Sequence, residues 1–134
     1  MKKGIKIQVR FSDIDVMGHV NNAVYLSYFE MARVVFFSEL MGGEWDWKKN
    51  GVLLRKNEIE YIKPVLLHEV PEIFIYTEKV GSKSFVLGYD LKVNNEIRTT
   101  GSSVLVSFDS LNNQSIEIPG KMKAILIQLF RNDN

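Results

Sequence analysis

The 134-residue chain contains no cysteine. That excludes disulfide bonds, thiolate metal sites and a cysteine nucleophile together. Neither sign of charge is in excess: 17 Lys and Arg against 16 Asp and Glu leave a formal net charge of +1. No broad field therefore argues for nucleic acid or a membrane surface. A local cluster of lysines is still enough for a phosphate-bearing ligand. No apolar run has the length needed to span a bilayer, so membrane insertion is not expected. The opening Met1-Lys2-Lys3-Gly4 leads straight into an alternating segment, which is not the pattern of a signal peptide. The expected compartment is the cytoplasm. Internal repeats, low-complexity tracts and linkers are missing too, and the length suits one domain, 1–134, with one core.

What is present is organised around residues 13–41. A polar loop carries Asp13, Asp15 and His19, and it leads into a helix. Fourteen of the twenty residues from 22 to 41 are apolar, enough for a rod of about 30 Å. A helix that is apolar nearly all round belongs inside a larger structure. Asn21 or Asn22 can cap its start, and Gly42-Gly43 ends it. Tyr25, Phe29, Ala32, Phe36 and Leu40 recur at helical spacing as one stripe. Glu30 and Arg33 are spaced to pair on the helix, partly buried.

The rest is strand-like. Ile5, Ile7, Val9 and Phe11 alternate with polar residues over 5–11. Residues 44–49 read as a short helical turn or loop, with Trp45 and Trp47 covering an edge. Further strands are expected over 51–62, stopped by Pro64, over 69–80, 84–93 and 97–108. Gly81-Ser82-Lys83 is a turn, and Asn94-Asn95 a two-residue hairpin turn. A polar loop fills 109–115. A last helix, 121–130, aligns Met122, Ile125, Leu126, Leu129 and Phe130. The order predicts an α+β fold: an antiparallel five-stranded sheet wrapped around one long central helix.

The run Arg10-Phe11-Ser12-Asp13-Ile14-Asp15-Val16-Met17-Gly18-His19-Val20-Asn21-Asn22, followed by Tyr25, Tyr28-Phe29-Glu30 and Ala32-Arg33, resembles the signature of the hot-dog-fold thioesterases. Within them it is most similar to the 4-hydroxybenzoyl-CoA thioesterase and acyl-CoA thioesterase group. Ile59-Glu60-Tyr61-Ile62-Lys63-Pro64, Gly81-Ser82-Lys83-Ser84-Phe85, Gly101-Ser102-Ser103-Val104-Leu105-Val106 and Ile118-Pro119 follow in matching order. The resemblance implies a hot-dog fold and hydrolysis of an acyl-CoA thioester to a free acid and CoA. It implies no cofactor, since coenzyme A is part of the substrate. It also implies a homodimer or homotetramer with the active site at the subunit boundary. The family's catalytic carboxylate, three residues before the glycine, falls on Asp15. The loop is also similar to that of plant-type acyl-carrier-protein thioesterases. Those carry an asparagine where this chain has Met17, which moves weight toward the acyl-CoA branch. The third reading, a non-catalytic acyl-binding domain, has Asp15 against it.

These residues suit thioester chemistry. A helix N-terminus offers unpaired N–H groups and the positive end of a dipole, which stabilise a developing oxyanion. The Asn22 N–H is the expected donor. Gly18 lets the loop bend back to the helix end. Asp15 is then either a general base on water or a nucleophile forming an anhydride; its bland alternative is a loop cap. His19 either orients Asp15, holds water or substrate, or is structural. Asn21 caps or positions the loop, Asp13 caps the turn, and His68 is structural. Gly18, Asn21 and Tyr25 are expected to border the substrate. Lys63, Lys83, Ser84 and Arg98 are candidates at the coenzyme A end, with solvated surface charge as the alternative for the cations. Asp15, His19 and His68 lack metal-site spacing, and Ser82, Ser84 and Ser102 lack a triad signature.

Overall fold

The computed structural model describes residues 4–131, so Met1 to Lys3 and Asn132 to Asn134 lie outside it. The elements in order are β1 (Ile5–Lys6), a 3-10 turn (Phe11–Asp13), α1 (Val24–Met41), β2 (Gly51–Tyr61), β3 (Glu72–Val80), β4 (Ser84–Val93), β5 (Glu96–Asp109), β6 (Gln114–Ser115) and α2 (Gly120–Gln128). The strand order is β1-β3-β4-β5-β2, with β6 added on β5. The five expected strands are therefore present, joined by a sixth short one. The loop expected at 109–115 is a hairpin, with Asn113 at φ 53° and Phe108 opposite Ser115.

Local chemistry accounts for the turns. Asn94 and Asn95 stand at φ 49° and 67°, the two positive values that a tight hairpin between right-twisted strands requires. Two expectations were too long. The alternation over 5–11 predicts a full strand, but β1 stops at Lys6, and Phe11 is exposed in the 3-10 turn. Ile5 pairs with Ile73 and Lys6 with Glu72, so the next partner is Pro71. The Pro71 carbonyl accepts the Ile7 N–H at 2.9 Å, but proline has no N–H to return, and the ladder ends. For the same reason β3 starts at Glu72 and not at residue 69.

The described residues form two compact units. The first comprises the chain up to Phe36, Ile59–Ile75 and Tyr89–Gly101. Its core holds Tyr25, Tyr28, Phe29, Ala32, Val65 and Ile73. Phe29 stacks on Tyr89 with centroids 4.4 Å apart. Arg33 is buried and donates to the Tyr89 hydroxyl at 3.0 Å, while Glu30 is exposed. The second unit comprises Phe37–Glu58, Tyr76–Gly88 and the chain from Ser102. There Phe37 meets Trp47 and Phe85 edge-on, and Met122 and Leu126 of α2 are buried.

Helix α1 departs from the expectation of burial on all sides. Tyr25, Phe29, Ala32 and Phe36 are buried as the stripe predicts, but Leu26, Met31, Val34 and Val35 are exposed, Val34 to 61%. The stripe of a helix that packs on a sheet covers only part of its circumference. The opposite side of a largely apolar helix stays in solvent unless something else covers it.

Candidate active site

The loop before α1 is built from its backbone upward. Asp13 ends the 3-10 turn, and its Oδ2 accepts the Arg10 N–H at 3.0 Å, which closes the turn. That much is the capping role expected of it. It is also buried to 2% exposure, and the Tyr28 hydroxyl donates to the same oxygen at 2.7 Å. Asp13 therefore ties the loop to the first turns of α1. Burial raises its carboxyl, but the Arg10 N–H, the Tyr28 hydroxyl and the Arg10 guanidinium outweigh burial and hold it below the ordinary value. The Tyr28 hydroxyl is pushed up, first by burial and then by Asp13.

Residues 14–20 fold back as a small hairpin. Ile14 and Val20 form an antiparallel bridge, and the Asp15 N–H donates to the His19 carbonyl at 2.9 Å. Gly18, at φ 79°, makes the return bend that other residues rarely adopt. Asp15 Oδ1 accepts the Met17 N–H at 2.9 Å and the His19 N–H at 3.4 Å. Its Oδ2 accepts no hydrogen bond among the described residues. Asp15 thus caps the loop with one oxygen and presents the other. His19 is fixed by its backbone, through a bridge to Leu66. Among the described residues its ring makes no hydrogen bond to Asp15. The tip residues Val16 and Met17 are exposed, Val16 fully.

The head of α1 follows. Asn21 is the cap: its Oδ1 accepts the Ala23 N–H at 3.0 Å, and its carbonyl accepts the Val24 N–H. Its own N–H is taken by the Asp13 carbonyl at 2.8 Å. The Asn22 carbonyl accepts the Tyr61 hydroxyl at 2.9 Å. Among the described residues the Asn22 N–H has no acceptor. The neighbouring peptides are pinned and one exposed donor is left open beside the Asp15 loop. Tyr25 is fully enclosed, edge-on to Tyr61 and Tyr28. Burial raises its hydroxyl.

The remaining candidates are distributed differently. Lys63 pairs with Glu96 at 3.1 Å on the surface. Lys83 and Ser84 belong to the second unit, at the turn between β3 and β4, where the Ser84 carbonyl accepts the Gly81 N–H. Arg98 is not an open cation. Its Nη1 and Nη2 grip the Glu69 carboxylate at 3.0 and 2.9 Å, its Nε meets Glu96, and Nη1 also reaches the Pro64 carbonyl. The Arg98 hydrogen bond holds the Glu69 carboxyl below its ordinary value. Sequence reasoning missed Tyr28, Tyr61 and Glu69 as partners of this region. Each acts across a long sequence separation, and no local pattern announces it. Among the described residues no group of three or more His, Asp or Glu is placed to hold a metal ion, and no helix is long and apolar enough to cross a membrane.

Known proteins are similar to this chain. The model of the thioesterase-like superfamily matches residues 9–126. The protein YsmA of Bacillus subtilis (strain 168) is 28% identical over 123 residues, covering 91% of this chain and 83% of that one. The long-chain acyl-CoA thioesterase FadM of Escherichia coli (strain K12) is 25% identical over 129 residues, covering 94% and 98%. A thioesterase of Thermus thermophilus, solved with coenzyme A and zinc, superposes with a TM-score of 0.80 at 29% identity, covering 92% and 95%. The antiparallel sheet with its helices is thus the hot-dog fold of the thioesterases. The chain belongs to the thioesterase-like superfamily, which places it among thioester hydrolases.

Proposed function

We propose that the protein hydrolyses an acyl-CoA thioester to a free carboxylic acid and CoA. One observation carries this: among the described residues the Asn22 N–H is unpaired at the head of α1, and the loop before it leaves one Asp15 oxygen without a donor. A thioester carbonyl oxygen seated on that N–H gains charge stabilisation as it becomes an oxyanion. Asp15 then takes a proton from the attacking water, or attacks the carbonyl itself to give an anhydride that water opens. In both routes the CoA thiolate leaves and takes up a proton. The Thermus relative's coenzyme A and the FadM name support CoA as the carrier. Lys83 and Ser84 are proposed at the nucleotide end, and Lys63 is a further candidate there if its Glu96 pairing opens.

The working unit is proposed to be a homodimer or homotetramer, with the site completed at the subunit boundary. The exposed Val16-Met17 tip and the open edge of β2 support that reading.

The test is a panel of acyl-CoA esters of graded chain length, followed by thiol release, with the carrier-protein esters alongside. Preference for the carrier-bound ester would move the assignment to an acyl-carrier-protein thioesterase. Asp15→Asn keeps the Oδ1 that caps Met17 and His19 but removes the charge, so the loop should hold. Its kcat should fall by roughly 10²–10⁴, with a smaller change in KM. A folded Asp15→Ala enzyme near the wild-type rate would remove Asp15 from the mechanism.

A further inference from the structure

Residues 62–69 are bound from both sides by one residue of β5. The Arg98 carbonyl accepts the Ile62 and Lys63 N–H groups at 2.9 Å each. Its side chain holds the Pro64 carbonyl at 2.8 Å and the Glu69 carboxylate through two parallel bonds. Glu69 Oε1 in turn accepts the Leu66 N–H at 2.8 Å. Between these anchors, the Val65 carbonyl accepts the Val20 N–H at 2.9 Å, and Leu66 bridges to His19. The loop that carries Asp15 and leads to Asn22 is therefore braced on a segment whose shape Arg98 and Glu69 set. Both side chains are only 13% exposed, so solvent screens this pair far less than a surface ion pair. Charge-assisted two-point pairing also fixes orientation as well as distance.

We infer that Arg98 and Glu69 are positioning residues for hydrolysis, holding the reacting loop in register through the 62–69 segment. The inference rests on the reading of residues 15–22 as the reacting end. Arg98 touches no substrate in this scheme. The planar fork is the working feature, because one head group must serve a carboxylate and a backbone carbonyl at once. Lysine carries the same charge but cannot reproduce the fork.

The experiment uses the full chain, with Arg98→Lys, Glu69→Gln and, as a control for losing a cation's hydrogen bond elsewhere, Lys121→Met. Lys121 donates to the Met41 carbonyl at 3.3 Å in the second unit. Two readouts are taken: acyl-CoA turnover, and amide hydrogen exchange at Val20, with Ala32 in the middle of α1 as reference. Displacing a reacting group by about an ångström costs on the order of 10² in rate, so kcat should fall by up to that factor while KM moves less. Val20 exchange should speed up by about tenfold or more, the scale of a lost charge-assisted bond, with Ala32 unchanged. Lys121→Met should match wild type in both. Wild-type kcat and Val20 exchange in folded Arg98→Lys and Glu69→Gln would overturn the inference. So would Val20 and Ala32 loosening together, since the pair would then hold the fold at large and not the loop. Absence of turnover in the wild-type protein would instead defeat the hydrolase reading, and Val20 exchange would still decide whether the clamp holds the loop.

Discussion

Asn22 is the residue on which the electrophilic half of the proposal turns. Asn22→Pro deletes the Asn22 N–H, which has no acceptor among the described residues. Proline is tolerated in a first helical turn, and it asks the preceding residue for extended backbone, as a capping residue adopts. The variant should fold and lose roughly 10²–10³ in kcat, the scale for one oxyanion donor. Undiminished turnover would mean that the carbonyl is polarised elsewhere. Asp13 makes a separate prediction about stability. Its folded carboxyl lies below the ordinary value of 3.8, so it stabilises the native state above that pH. The contribution is lost as pH falls through the lowered value. Tyr28→Phe removes one of the donors responsible. Urea unfolding near neutral pH should show a loss of about 1.5–3 kcal/mol, the range for a bond to a charged group. The acid limb of the stability curve should also be flatter than in the wild type.

At the scale of elements, the hairpin between β4 and β5 tests whether turn chemistry sets strand register. Both of its turn residues stand at positive φ, where asparagine is tolerated and a β-branched side chain is not. Asn95→Val should cost about 1–2 kcal/mol, read as a lower denaturation midpoint at unchanged slope. Asn95→Gly should be close to neutral. Equal stability of the valine variant would mean that the strands are registered by packing alone. The same scale explains the brevity of β1: alternation in one strand cannot extend a ladder whose partner strand has proline at the next position.

For the whole molecule, the long edge strand is the feature with the largest consequence. β2 ends the strand order, and both Leu53 and Leu54 on it are exposed. An unpaired edge of that length invites pairing. The exposed apolar side of α1 is a second uncovered surface. Sedimentation should therefore find an oligomer, and Leu54→Lys, which places a charge on the edge, should shift it toward monomer with loss of turnover. A wild-type protein that sediments as an active monomer would refute the shared-site reading.

The sequence by itself determined what depends on near neighbours. Element order, the helix stop at Gly42, the positive-φ pair at Asn94-Asn95 and the capping by Asn21 follow from period, backbone freedom and donor–acceptor chemistry over a few residues. The position of Asp15 ahead of a helix start is of the same kind. Tertiary structure decided what depends on distant partners. Arg98 and Lys63 read as cations open to a phosphate, yet each found a carboxylate 29 and 33 residues away. Asp13 read as a simple cap, and it became buried because Tyr28, fifteen residues on, reaches it. The stripe of α1 marked its buried side, but not that Leu26, Met31, Val34 and Val35 would stay exposed, because how much of a helix is covered is set by where the strands pass. Charge pairing and burial are set by proximity in space, and a local pattern carries no information about which remote residue will arrive there.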